Sequence, residues 1–177
     1  MVSWDIEKLT WDIGESTIKR FHLGTERDLR NRFQLKNIAR VSSKELDTDY
    51  FDYNFKIRLE ENDEKHLIIE IFSPQKGLED IARYIKREVD TGFVFSNGFL
   101  KSVGERSEFK KYSERLEYIG MQDTETEYAP DRFIPVLRVS YKITGSLLKL
   151  NTASFIDTVQ NYAILPFFAF ALNTREP

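Results

Sequence analysis

The segment Asp47-Thr48-Asp49-Tyr50-Phe51-Asp52 holds the densest run of carboxylates in the chain. Hard cations such as Mg²⁺ and Ca²⁺ take oxygen ligands crowded on a tight loop, so Asp47, Asp49 and Asp52 are the candidate metal ligands. The run lacks the glycine and closing glutamate of an EF-hand loop, and a bare Asp-x-Asp equally serves a solvated turn feeding a strand. Glu60, Glu61 and Glu70 lie nearby, and a metal-dependent hydrolase would need such acids to converge. Glu70 is followed by Ile71-Phe72, without the lysine expected beside the second acid of a nuclease strand.

A second kind of chemistry is phosphate binding. Residues 19–44 carry eight basic side chains against two acidic ones, a net of +6, and residues 45–64 reverse this to −6. Read as a strand, residues 30–36 set Arg30, Arg32, Gln34 and Lys36 on one face, a ladder that can track phosphates. Arg27 and Arg40 flank it, and Lys110, Lys111 and Tyr112 add a basic-aromatic patch of the kind that stacks on single strands. These eight basic and aromatic residues are the candidate nucleic-acid contacts. Against them stand the net charge of −3 and the acidic block next door, since neighbouring blocks of opposite sign commonly pair across a sheet.

The remaining chemistry is sparse. His22 and His66 are the only histidines, and no Gly-x-Ser-x-Gly elbow accompanies them. Gly92, Gly98 and Gly104 have turn spacing and do not form a phosphate-binding loop. The absence of cysteine excludes disulfides, thiolate nucleophiles, zinc fingers and iron–sulfur clusters. From Tyr162 to Leu172 every residue is apolar, yet the run is far short of the roughly 20 residues that span a bilayer. It fits a packed core, or an oligomer interface through Tyr162, Phe167, Phe168, Phe170 and Leu172, and no membrane contact is expected.

These residues need elements to hold them. Trp4-Asp5-Ile6 and Trp11-Asp12-Ile13 read as an N-terminal segment anchored by two indoles, followed by extended chain at Ile18–Leu23 and 32–41. A helix over 26–41 is the rival, but it would place Leu29 and Phe33 among arginines. Phe55–Leu59 alternates strictly and His66–Phe72 returns across a polar connection, which predicts a hairpin. Ser73-Pro74 has the form of a helix start, with Leu78, Ile81, Ala82, Ile85 and Val89 as the buried stripe and a Glu79–Arg83 pair outside. Asn97-Gly98 between apolar runs predicts a tight hairpin, residues 120–131 an exposed polar loop, and Phe133–Ile143 a strand whose Pro135 suggests an edge. A last helix, capped by Asn151 or Thr152, should run to Leu172 with a kink at Pro166.

The elements sum to an α+β fold: an antiparallel sheet covered by two main helices, about 74–90 and 152–172. The 177 residues, 41% hydrophobic and 31% charged, suit a single domain spanning 1–177 with a core of its own. The N-terminus has no basic and apolar leader, so a cytoplasmic location is expected. The three β-segments with acidic connections between Arg32 and Phe72 are similar in layout to the sheet of SecB-type export chaperones. That likeness covers under a quarter of the chain and implies peptide binding.

The sequence therefore reads as a non-catalytic binding or assembly module with no cofactor. It would self-associate or serve as a subunit of a larger complex, a viral or phage assembly included. Nucleic-acid binding through 27–40 is the alternative, with a peptide-binding chaperone and a metal-dependent hydrolase behind it.

Overall fold

A computed structural model describes residues 1–20, 40–41, 45–50, 53–73, 77–90 and 114–173. Helix α1 (Ile6–Arg20) precedes strands β1 (Arg40–Val41), β2 (Glu45–Tyr50), β3 (Tyr53–Glu61) and β4 (Lys65–Phe72). Helix α2 (Glu79–Asp90) is followed by β5 (Leu116–Ala129) and β6 (Arg132–Ile143). The short α3 (Gly145–Leu148) leads into α4 (Thr152–Val159), a π-turn (Gln160–Ile164) and α5 (Leu165–Asn173). The strands form one antiparallel sheet in the order β1-β2-β3-β4-β6-β5. The expected α+β class stands.

Period-two alternation decides which face of this sheet meets the helices. Phe55, Ile57 and Leu59 on β3 point to the same side as Leu67, Ile69 and Ile71 on β4 and Leu137, Val139 and Tyr141 on β6, and all are buried. Phe167 and Phe168 lie over them, with Phe55 stacked on Phe167 at 6.5 Å and tilted against Phe168 at 5.3 Å. Phe170 closes the end of the core, 5.9 Å from Tyr53 and 5.0 Å from Tyr84 of α2.

At the other end Tyr141 packs edge-on between Tyr118 and Tyr162. Burial pushes both the Tyr141 and Tyr162 phenols above their ordinary range, so they stay neutral. The Tyr141 hydroxyl is wholly buried and has no hydrogen-bond partner among the described residues. An orphaned hydroxyl costs on the order of 1–3 kcal/mol, so Tyr141→Phe is expected to stabilise the fold by about 1 kcal/mol. A thermal melt should show the midpoint rising by roughly 2–4 °C.

Several expectations need correction. The N-terminal segment forms a helix over Ile6–Arg20, so residues 18–20 are helical and not the start of the expected extended chain. Asp5 caps it, accepting from the Lys8 amide at 3.2 Å. Its inner face is Leu9, Thr10, Ile13 and Thr17, all buried, and two threonines within the stripe break the apolar pattern. Trp4 packs against the core beneath the Lys65 ammonium, whereas Trp11 is exposed.

Helix α2 begins at Glu79, five positions beyond the expected start at 74. Gly77 is a poor helix residue, while Glu79 and Asp80 suit the positive end of the helix dipole. Arg83 pairs with Asp80 at 3.6 Å instead of Glu79.

The largest correction is residues 120–131, which supply most of β5 and its turn into β6. The hairpin closes at Pro130-Asp131, where Asp131 takes a left-handed backbone with φ 60°. Pairing of β6 with β4 begins only at Leu137, so Pro135 lies where its missing N–H costs no ladder bond to β4. The Phe55–Leu59 and His66–Phe72 hairpin is present as expected.

In the last helix Asn151 is the cap, accepting from the Ser154 amide at 2.8 Å. Pro166 is accommodated by the π-turn just before it, in which the Leu165 amide reaches back to the Gln160 carbonyl. The wider turn gives the proline ring room against the preceding turn, and prolines and π-turns are both places where helices bend.

Candidate functional site

The sheet's second face carries charge in a checkered order. Register places Asp47, Lys56, Glu70 and Arg138 side by side across β2, β3, β4 and β6, so sign alternates from strand to strand. The next row sets Glu45 beside Arg58, then Ile68 and Ser140. Arg58 is the centre of the network: its guanidinium binds Glu60 at 2.9 Å and also Glu70, while Arg138 reaches Glu60 at 3.5 Å. Burial works against the charge on Arg58, but its bonds to Glu60 and Glu70 prevail and hold it above its ordinary value. Glu45 is pushed up by its burial, with Lys56 pulling the other way. Lys142 and His66 both approach Glu64, at 3.2 Å and 3.9 Å. Part of the acidic block at 45–64 is thus neutralised by arginine and lysine on its own sheet.

A second polar cluster lies inside the helical layer. Gln160 and Asn161, at the start of the π-turn, are buried and face α1. Arg20 donates to Gln160 Oε1 at 3.2 Å and to Asn161 Oδ1 at 2.6 Å. Gln160 Nε2 donates to Ser16 Oγ at 2.9 Å and Thr17 Oγ1 at 3.2 Å, and Asn161 Nδ2 donates to Asp157 at 2.9 Å. Each of these groups already has a partner within the protein, so the cluster acts as a clasp holding α1 on the π-turn that follows α4. No local pattern announces this cluster: Gln160 and Asn161 are two polar residues between Val159 and Tyr162, and Arg20 is one cation among the eight of residues 19–44.

The third feature is the β5–β6 hairpin. It continues past the end of β4, with 132–136 of β6 pairing with β5 alone. β5 is the sheet's last strand, and among the described residues no strand pairs with its outer side. Bulges interrupt its ladder between Tyr118 and Gly120 and between Glu127 and Ala129, leaving Gly120–Glu127 in unbroken register. Met121 points to the helical side and packs against the core; Asp123, Glu125 and Glu127 follow at alternate positions on that same side, beyond the helical cover. β5 bears four carboxylates and no basic residue. Two large apolar side chains stand in solvent here, Ile119 at 54% and Phe133 at 61% exposure.

The expected site residues fall out as follows. Asp47 is tied into the sheet, accepting from Asn54 Nδ2 at 2.9 Å. Asp49 is in β2, with its side chain outside the described residues, as is the whole of Asp52. Among the described residues no three His, Asp or Glu side chains gather as a metal site. Arg40 lies in β1 opposite Asp47, while Arg27, Arg30, Arg32, Lys36, Lys110, Lys111, Tyr112 and the Asn97-Gly98 turn lie outside the described residues. Tyr162, Phe167, Phe168 and Phe170 are buried in this chain's own core, and the Leu172 side chain is outside the described set. A contact of these four with a second copy would first have to remove them from that core. No helix among the described residues is long and apolar enough to cross a membrane. Comparison of the chain with protein-family models, curated proteins and solved structures finds no match.

Proposed function

We propose that this chain is a non-catalytic protein-binding module that joins a larger assembly through the outer edge of β5. The observation that carries this reading is the regular stretch Gly120–Glu127, whose outer side pairs with no strand among the described residues, with exposed Ile119 next to it on β5 and exposed Phe133 opposite Glu127 on β6. An unpaired edge presents alternating N–H and C=O groups, and a polypeptide partner satisfies them by adding a strand. Exposed aromatic and aliphatic side chains beside such an edge supply the apolar contact that gives an interface its affinity.

The test uses the chain in extracts of its own host. The wild-type chain is expected to elute from size exclusion well above its 20.9 kDa mass. Ile119→Lys with Phe133→Lys should return it to the free position, with circular dichroism unchanged because both residues are exposed. Identical elution of the two forms would count against the edge.

The basic block favours a second reading, nucleic-acid binding through 27–40. Affinity for a single-stranded oligonucleotide should then fall steeply with salt and vanish with Arg32→Glu plus Lys36→Glu.

A further inference from the structure

We infer that the occupant of the β5 edge is an extended polypeptide segment with lysine or arginine at alternate positions, added as a strand on the outer side of β5, where no strand pairs among the described residues. This rests on the edge-binding function proposed above and specifies its partner. Backbone groups on a sheet edge accept any extended chain, so the choice among chains falls to side chains. Asp123, Glu125 and Glu127 share one side of β5 at every second residue, which sets successive carboxylates about 7 Å apart. A strand paired with β5 puts its own alternate side chains directly opposite, about 5 Å away. Three carboxylates at this spacing therefore call for three basic residues at the same spacing.

Phe133, opposite Glu127 on the same side, offers its exposed ring to the stem or head of such a residue. On the other side Gln122, Thr124 and Thr126 suit threonine or valine neighbours. The same charges argue against a second copy of this edge, because antiparallel self-pairing would line up carboxylates from both strands. They also repel phosphate backbones.

The experiment titrates the intact chain into a fluorescein-labelled synthetic peptide, Lys-Thr-Lys-Thr-Lys-Val-Lys, and reads anisotropy in low salt. Saturable binding is expected, weakening about tenfold or more between 50 and 300 mM salt. It should weaken by a similar factor with Asp123→Asn/Glu125→Gln/Glu127→Gln, whose fold is checked by circular dichroism. A peptide of the same charge with alternate amides N-methylated should also bind at least about tenfold more weakly, because it cannot complete the ladder. Equal binding of the methylated peptide would reduce the contact to charge alone and overturn the added strand. Equal binding by the triple variant would overturn the role of the carboxylates. A concentration-dependent dimer dissolved by a proline in β5 would name a second copy as the occupant and overturn the basic segment. Loss of the complex with Ile119→Lys/Phe133→Lys, together with no peptide binding, would sink the basic occupant and leave the edge reading standing.

Discussion

Phe168→Ala is expected to cost about 3–5 kcal/mol of folding free energy. Phe168 is 1% exposed and its ring meets Phe55, which sits on a strand held on both sides by β2 and β4. A paired strand and a helix docked on it cannot close in on the lost ring, so the cavity term adds to the lost transfer free energy. Urea unfolding followed by circular dichroism should show a much lower midpoint with an unchanged slope. The control is Phe133→Ala, an exposed aromatic on the same sheet, which should move the midpoint by less than about 0.5 kcal/mol equivalent. An equal effect of the two would mean that the C-terminal aromatic run does not fill this core.

Gln160→Leu should cost about 2 kcal/mol, concentrated in one place. Its amide joins Arg20 to the hydroxyls of Ser16 and Thr17, and Thr17 is fully buried. Leucine keeps most of the volume but leaves Arg20 with one acceptor fewer and the threonine facing an apolar group. Asn161 still accepts from Arg20 at 2.6 Å, which keeps the loss moderate. Native-state hydrogen exchange is the discriminating readout. The amides of α1 should lose protection well before those of β3 and β4, because α1 is the element that the clasp holds. Uniform loss over the whole chain would show that α1 is not a separable unit.

How far the residues themselves announce this structure depends on where each segment lies. β3 and β4 are legible because one face of each is buried and the other more exposed, so burial writes a period of two into the chain. The C-terminal helix is legible from its Asn151 cap and its apolar run, buried on all sides over 158–168. β5 was misread because most of it lies on the outermost strand beyond the helical cover, where neither face is selected for apolar residues. What it retains is alternating threonine, a β-former, and that signal was outweighed by the acids. α1 was misread because threonines at 10 and 17 occupy two of its inward positions.

The candidate site was legible only in part. Blocks of opposite charge were visible, and Arg58 meets Glu60 on its own strand and Glu70 across the predicted hairpin, but Arg138 reaches Glu60 from a distant segment, which no local pattern encodes. Phe133 was visible as a strand residue, and its exposure follows from how far β6 runs past β4.

The central claim is that β5 is where this chain meets another protein. The most direct measurement places a photo-activated cross-linking amino acid at Glu125 in the host cell, with the same group at Lys149, an exposed position after α3, as reference. The account predicts a discrete higher-mass adduct from position 125, absent from position 149 and lost when Ile119→Lys and Phe133→Lys are added. Adducts from 149 alone, or none from 125 while the chain sits in a complex, would contradict it.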